Sequence, residues 1–306
     1  MRYALGIEYD GSEFLGWQIQ RQEPTVQGVL EDAVARVADH EARVTACGRT
    51  DTGVHGVCQV AHFDTTSKRA ERSWILGLNS HLPKAASVLW IRAVSDDFHA
   101  RFSAFARSYR YRIANRWIRP ALEARYASWY RKPLDAGRMH EAAQCLVGEH
   151  DFSSFRASAC QARHAVREIH SIAVTREGDD VTLTVTANGF LYHMVRNIAG
   201  SLLHVGCGDA PVAWLQDTLE KRDRNQAAPT APPEGLYLDD AAWETAVTGH
   251  RVIQFTPLPQ ATGPGVLDAG ARIGRNFAPE RQQESVSLFE ALAAHVQAKL
   301  EKGPVV

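Results

Sequence analysis

Strand patterns and amphipathic helix patterns alternate along roughly the first 240 residues, and this alternation constrains the fold more than any other feature of the chain. Strand patterns cover residues 3–9, 43–46, 57–63, 87–91, 108–113, 168–176 and 181–186. Helix patterns cover residues 25–37, 69–78, 136–146, 191–205 and 212–221. Several successive strands look like antiparallel pairs, so we predict an α+β fold made of two similar halves.

The chain is long enough for about two domains of roughly 150 residues each, with a core that needs neither disulfides nor metals. It has 306 residues, of which 45% are hydrophobic. We predict an N-terminal half over residues 1–107, a C-terminal half over residues 108–250 and a tail over residues 251–306. The tail begins near a proline- and glycine-rich linker from Pro257, and a capping box at Ser287 to Glu290 predicts an amphipathic helix.

The sequence favours a cytoplasmic protein that does not cross a membrane. No apolar run approaches the roughly 20 residues of a membrane span, and the acids Glu8 and Asp10 argue against a signal peptide. The five cysteines are odd in number and form no C-x-x-C pair. We therefore expect reduced thiols, with no disulfide framework and no zinc site.

The charge of the chain is balanced overall and skewed locally. The totals are 34 basic and 35 acidic residues, and such a balance does not by itself indicate a nucleic-acid partner. However, residues 101–131 contain eight arginines and one acid, Glu123. This segment is either a solvated surface or a binding surface for a polyanion.

The most unusual segment is the glycine-rich loop at residues 46–56, which carries Arg49, Asp51 and His55 between two predicted strands. It is not a phosphate-binding P-loop, because no Gly-Lys-Ser/Thr follows the glycines. In one interpretation Asp51 only satisfies turn amides. In the other, Asp51 is a reactive carboxylate that the neighbouring Arg49 keeps ionised.

Two further segments combine aromatic and basic side chains. In the strand at 108–113, Tyr109 and Tyr111 share one face, while Arg110 and Arg112 share the other. Such a strand could stack on bases and bind phosphates, or its tyrosines could belong to the core.

In the second segment, residues 188–197, Phe190, Met194 and Ile198 have the spacing of a buried helix face. Arg196 beside that face needs an acidic partner, and Asp51 is a candidate. We interpret His193 as a structural histidine rather than a catalyst.

These segments together resemble the TruA family of tRNA pseudouridine synthases. Seven motifs occur in the family's order, which makes the resemblance far more specific than any single motif. They lie at residues 6–12 with 16–18, 48–56, 97–103, 109–111, 148–155, 190–200 and 234–237. The tail is not covered.

The resemblance implies a fold, an activity and a set of site residues. The fold would be two α+β halves around a central, mostly antiparallel sheet with the active-site cleft between them, used as a homodimer. The activity would convert uridine to pseudouridine at positions 38, 39 and 40 of the tRNA anticodon stem-loop, without metal or organic cofactor. Asp51 matches the catalytic aspartate, Arg49 the arginine two residues before it, Tyr109 the active-site tyrosine and Arg196 the basic partner of the aspartate.

We further expect a set of side chains to contact the RNA, and Tyr109 is also a candidate base for the proton at C5. The expected RNA-contacting residues are Arg49, Tyr109, Arg110, Arg112, His55 and Phe190. Attack at C1′, addition at C6 and abstraction of a sugar proton all stay open for Asp51. One rival hypothesis is an RNA-binding module without catalysis, which would not need Asp51. The other is a nucleotide-binding transferase, which would need a lysine after the glycine-rich loop and a metal-binding carboxylate cluster, and the sequence lacks both.

Overall fold

The structure is a computed structural model that describes residues 1–20, 24–245 and 251–254. The described residues all belong to one compact unit, Met1–Pro257. The predicted linker from Pro257 and the predicted tail helix lie outside the described residues. No helix in the described ranges is long and apolar enough to cross a membrane.

One mixed sheet of eleven strands forms the centre of the described part of the chain. The strands are β1 (Arg2–Tyr9), β2 (Thr45–Ala46), β3 (His55–Asp64), β4 (Ala86–Val94), β5 (Ala104–Asn115), β6 (Ser128–Tyr130), β7 (Gly148–Asp151), β8 (Val166–Glu177), β9 (Asp180–Ala187), β10 (Leu236–Thr245) and β11 (Arg251–Gln254). The main path of the sheet runs β4-β1-β3-β10-β5-β9-β8-β7, while β2 pairs with β3, β6 with β5 and β11 with β10. Neighbouring strands are antiparallel except in the β3–β10 and β5–β6 pairs.

Five α-helices in the described ranges cover the sheet, and all five correspond to predicted helix patterns. They are α1 (Val26–Ala38), α2 (Glu71–His81), α3 (Ala136–Ala143), α4 (Met194–Gly206) and α5 (Trp214–Lys221). The Thr25 hydroxyl caps α1 by accepting from the Gly28 amide, as its position before the apolar periodicity predicts. The prediction of an α+β fold around a mostly antiparallel sheet is confirmed.

Two hydrophobic clusters fill the space between helices and sheet. The first joins β1, β3 and β4 to α1 and α2 through side chains such as Leu30 and Trp74. The second joins β5, β8 and β9 to α3, α4 and α5, with Ile198 and Leu202 of α4 fully buried. The second cluster also contains Ala4, Val60 and Trp90 of the predicted N-terminal half, so it extends across the shared sheet.

Strand β10 connects the two halves and is not predicted from the sequence. It runs parallel to β3, with Tyr237 opposite His55, and antiparallel to β5. Asp239 and Asp240 interrupt the apolar pattern that would reveal a strand. In the structure Arg110 on β5 compensates Asp239 through an ion pair of 3.1 Å. A boundary at residue 107 falls inside β5, and the sheet is continuous there.

Candidate active site

The loop that carries Asp51 is fixed by backbone contacts with the segment after β1. The Trp17 amide donates to the Thr50 carbonyl over 3.0 Å, and the Val54 amide donates to the Asp51 carbonyl over 3.1 Å. Gly16 has a φ of +80°, and a Cβ there would lie 2.6 Å from the Thr50 oxygen. Only glycine allows this close approach without strain, so the segment holds the loop rigidly.

The base of the loop is tied to β3 and β5 by buried polar side chains. The Gln59 amide donates to the Gly48 carbonyl over 2.7 Å and accepts from the Cys47 thiol over 2.8 Å. Arg107 on β5 donates to the Cys47 carbonyl and, over 2.9 Å, to the Asn188 carbonyl. Arg107 thus connects the Asp51 loop to the segment that leads into α4.

Asp51 contacts two cationic or polar side chains from the start of α4. Arg196 Nη1 and His193 Nε2 each lie 3.3 Å from Asp51 Oδ2. Arg196 is fixed in turn by its Nε, which donates to the Ala231 carbonyl over 2.8 Å. The ion pair predicted between Asp51 and Arg196 is therefore present, and all three side chains are only partly exposed.

The helix that supplies Arg196 is packed closely by the segment before β10. A Cβ on Gly200 would lie 2.0 Å from the Pro229 carbonyl oxygen, so a larger residue would push this segment away. The buried Asn197 side chain accepts from Arg224 and from the Thr230 hydroxyl and donates to the Phe155 carbonyl. These contacts hold the first turn of α4 in place beneath Asp51.

Tyr109 and Phe190 form an aromatic wall beside Asp51. Their ring centroids are 5.0 Å apart in an edge-to-face arrangement. Tyr109 is 9% exposed, and its hydroxyl has no hydrogen-bond partner in the described part of the chain, so it is available to a bound molecule.

Burial raises the pKa of Tyr109 far above the usual value, and the nearby Cys47, Tyr9 and Asp51 add to this. The phenol therefore stays protonated near neutral pH. This geometry does not support the prediction that Tyr109 is the base for C5.

Arg49 is exposed and makes no ion pair with Asp51 among the described residues. The cation in contact with Asp51 is instead Arg196, whose Nη1 lies 3.3 Å from Oδ2. An exposed guanidinium two residues from Asp51 is well placed for a phosphate.

His55 is 2% exposed and lies behind the loop rather than in the cleft. Its Nδ1 accepts from the Gly11 amide over 3.1 Å, and its Nε2 donates to the Arg125 carbonyl over 2.8 Å. Burial lowers the pKa of His55, so the ring is neutral and both nitrogens are satisfied. The prediction that His55 contacts substrate is not supported, since its side chain is enclosed by protein.

Arg110 and Arg112 lie on the face of β5 opposite Tyr109, as the two-residue alternation of a strand requires. Arg110 pairs with Asp239 and lies over the Tyr237 ring at 5.2 Å. Arg112 lies 3.5 Å from both Glu123 and Asp180. Their assignment as RNA ligands is not supported, because both guanidinium groups are engaged within the protein and face away from Asp51.

His193, which the sequence indicates to be a structural histidine, lies with its Nε2 3.3 Å from Asp51 Oδ2. Helical spacing from Arg196 does not predict this contact, because His193 precedes the first turn of α4 and has a left-handed backbone.

The described residues hold no group of three or more His, Cys, Asp or Glu side chains that could bind a metal ion.

Comparisons with known proteins show the family of the chain. A family model described as tRNA pseudouridine synthase matches residues 6–103 and 142–244, a range that includes Asp51, Arg196 and most of β10. The tRNA pseudouridine synthase A of Xylella fastidiosa (strain M23) is 56% identical over 237 residues, covering 77% of this chain and 92% of that protein. The protein of the same name from Methylococcus capsulatus is 52% identical over 259 residues, covering 85% of this chain and 96% of the relative.

Among solved structures, an H/ACA RNP bound to a substrate RNA containing 2′-deoxyuridine matches with 15% identity and a TM-score of 0.30, covering 73% of this chain and 59% of that one. This likeness is too weak to carry an argument. The sheet, the carboxylate site and the matched family define the class of protein as an RNA pseudouridine synthase, which is an isomerase. The chain belongs to the TruA family of tRNA pseudouridine synthases.

Proposed function

We propose that the protein converts uridines to pseudouridine at positions 38, 39 and 40 of the tRNA anticodon stem-loop, with Asp51 as the catalytic carboxylate. The observation that carries this proposal is the geometry around Asp51: a partly exposed carboxylate on a rigid loop, paired with Arg196 and flanked by Tyr109. The relatives named tRNA pseudouridine synthase A support the same substrate class.

The reaction breaks the N1 glycosidic bond, rotates the uracil and rejoins it to the sugar through C5, after which C5 loses its proton and N1 gains one. The base has to leave the helical stack first, at a cost of a few kcal/mol that protein contacts offset. The carboxylate of Asp51 then attacks C1′, adds to C6 or takes a sugar proton. Its contact with Arg196 Nη1, 3.3 Å away, fixes the orientation of the carboxylate for each of these steps.

The aromatic wall and Arg49 are suited to hold the flipped nucleotide. The uracil ring stacks against Tyr109, whose hydroxyl is unpartnered within the described part of the chain, and Phe190 supports that ring from the side. Arg49 binds a phosphate or takes the place of the flipped base. This set of contacts needs no organic cofactor.

Part of the arginine-rich segment 101–131 is suited to follow the RNA backbone. Arg107, Arg110 and Arg112 are bound within the protein, as described above. The exposed arginines of the segment that form no ion pair with an acid of the described residues are Arg101, Arg116, Arg119 and Arg131. We assign the phosphate contacts of the segment to these four, which predicts steep salt dependence of tRNA affinity.

A homodimer in the cytoplasm is part of the proposal. The loop between β5 and β6 exposes Trp117 (69%), Ile118 (71%) and Leu122 (94%). Exposed apolar side chains this close together favour burial against another protein surface, and a second copy of the chain is the partner we propose. Sedimentation of Ile118→Glu and Leu122→Glu variants as monomers, with the unchanged protein as a dimer, would support this assignment.

The proposed compartment has separate support. All five cysteines are free thiols, which supports a reducing compartment.

The central test is incubation of the purified protein with unmodified tRNA, without added cofactor, followed by mapping of pseudouridine at single-base resolution. We expect modification at positions 38, 39 and 40, and none with Asp51→Asn. Asp32→Asn on the exposed side of α1 is the matched control and should be fully active. An active Asp51→Asn enzyme would contradict the catalytic assignment, whereas binding of tRNA without any pseudouridine would favour the non-catalytic RNA-binding module.

A further inference from the structure

The two contacts that Asp51 receives from the start of α4 fall on the same carboxylate oxygen. His193 Nε2 and Arg196 Nη1 each lie 3.3 Å from Oδ2. Oδ1 accepts no hydrogen bond from any residue in the described ranges, and the Asp51 side chain is partly exposed. The two oxygens of one carboxylate are therefore in different environments.

We propose that His193 is a positioning residue that, together with Arg196, holds Asp51 Oδ2 and leaves Oδ1 as the oxygen that acts on the nucleotide. This inference rests on the proposed function of Asp51. Restricting a carboxylate to one orientation matters because a reacting group has to be held close to its productive geometry.

The backbone around His193 is arranged to present its side chain. His193 has a φ of 60° and a ψ of 7°, a left-handed conformation that costs a residue with a Cβ about 1 kcal/mol or more. The Met194 amide donates to the Leu191 carbonyl over 3.0 Å, and the Asn197 amide donates to the His193 carbonyl over 2.9 Å. These bonds keep the residue in this conformation, and strain of this kind at a non-glycine residue is common at functional sites.

The imidazole ring is also held by an aromatic neighbour. The Tyr192 ring stacks on it, with centroids 3.9 Å apart. Tyr192 is fixed through its backbone, since its amide donates to the Cys160 sulfur over 3.4 Å and its carbonyl accepts from the Ala157 amide over 3.1 Å. Stacking on one face and the contact of Nε2 with Asp51 at the ring edge together limit the rotation of the His193 side chain.

The charges around His193 favour a neutral ring. Burial lowers the pKa of His193, Arg196 on α4 and Arg224 near the α5 end lower it further, and Asp51 opposes them. With its proton on Nε2, a neutral imidazole can donate to Oδ2, 3.3 Å away, without adding a second positive charge beside Arg196.

Three variants separate the side chain of His193 from its backbone. His193→Gly removes the donor and accepts the left-handed conformation without strain. His193→Gln carries an amide nitrogen at the same number of bonds from the backbone as Nε2, so it can restore the donor. His81→Gln, at the exposed end of α2, is the matched control.

The measurement is steady-state pseudouridine formation on unmodified tRNA, with kcat, KM and melting temperature for each variant. We expect His193→Gly to lose between about 10-fold and 100-fold in kcat, the effect of one hydrogen bond to a charged group, with KM changed by less than about 2-fold. His193→Gln should recover most of this loss.

Two results would overturn the inference: kcat of His193→Gly within about 2-fold of the unchanged enzyme, or His193→Gln no better than His193→Gly at an unchanged melting temperature. Asp51→Asn in the same assay separates this failure from that of the proposed function. An active Asp51→Asn enzyme would contradict the proposed function itself. An inactive Asp51→Asn with no effect in the His193 series removes only the positioning role.

Discussion

Arg196 Nη1 lies 3.3 Å from Asp51 Oδ2, although 145 positions separate the two residues in the chain. One residue comes from the loop before β3 and the other from the first turn of α4, and β10 holds their strands in one sheet. The ion pair therefore requires both predicted halves to be folded on the shared sheet.

Shortening Arg196 should separate its charge from its anchoring role. Arg196→Lys keeps a positive charge near Asp51 and loses the donor to the Ala231 carbonyl. We expect kcat to fall about 10-fold or more, with a loss of about 1 to 2 kcal/mol in the free energy of unfolding. Arg196→Ala should cost more in both, because it leaves a partly buried carboxylate without its cation. Tritium release from C5-labelled tRNA and urea unfolding measure the two effects, and equal kcat for Arg196→Lys and the unchanged enzyme would contradict the anchoring role.

Tyr109 should act through its ring rather than as a phenolate. Because burial raises its pKa well above the usual range, we expect kcat to stay level from about pH 7 to 9. Tyr109→Ala should weaken tRNA affinity by about 1 to 3 kcal/mol, the value of one stacked base, while Tyr109→Phe should bind tRNA as the unchanged enzyme does. Filter binding and the pH profile of kcat test both statements. A rate that climbs steadily with pH above 7 would restore Tyr109 as the base.

Loss of charge at Arg49 should weaken tRNA binding, whereas loss of charge at Arg110 should lower the free energy of unfolding. Arg49→Gln removes an exposed guanidinium beside Asp51, so tRNA affinity and its salt dependence should fall while stability stays within about 0.5 kcal/mol. Arg110→Gln leaves Asp239 without its ion-pair partner, at a site where burial already raises the pKa of that carboxyl. We expect a loss of about 2 to 4 kcal/mol in the free energy of unfolding, with affinity nearly unchanged. If Arg110→Gln instead weakened tRNA affinity and left the free energy of unfolding unchanged, Arg110 would be an RNA-contacting residue.

Much of this site could be predicted from the sequence because the loop, the tyrosine strand and the start of α4 each carry a local signal. Glycines around Asp51 indicate a tight loop, and the spacing from Phe190 to Ile198 indicates a helix whose Arg196 needs an acid. The two-residue alternation in β5 also predicts correctly that Tyr109 and Arg110 face opposite ways.

What could not be predicted depends on contacts between distant residues. Strand β10 could not be predicted, because Asp239 interrupts its apolar pattern and Arg110, which compensates the charge of Asp239, lies 129 positions away in the sequence. The sequence makes His55 a candidate for contact with the substrate. In the structure, backbone groups of Gly11 and Arg125 satisfy both of its nitrogens. A charge or a histidine says nothing by itself about whether its partner is RNA or protein.

The histidine pair next to Arg2 should make the fold sensitive to acid. Burial lowers the pKa of His62 to about 4, with contributions from His99 and Arg2. The unfolded chain then binds more protons than the folded one between about pH 6.5 and 4, so the free energy of unfolding falls as the pH drops through this window. The loss should reach about 3 kcal/mol at most. His62→Asn, whose side-chain oxygen can still accept from the Ala100 amide, should flatten this dependence in urea unfolding at pH 5 and 7, and an unchanged slope would contradict it.

Gly16 should control the position of Asp51 although its own atoms take no part in the reaction. Its φ of +80° disfavours any residue with a Cβ, and that Cβ would lie 2.6 Å from the Thr50 oxygen and 3.0 Å from the Asp51 carbonyl carbon. Gly16→Ala should therefore destabilise the fold by about 1 to 3 kcal/mol and shift the loop, lowering kcat by 10-fold or more. Gly178→Ala, at a φ of +57° in a turn where a Cβ would meet nothing within 4 Å, is the matched control: it carries the backbone strain but not the clash. If the two variants lose the same stability and both keep full activity, the contact between Gly16 and the Asp51 loop does not position the carboxylate.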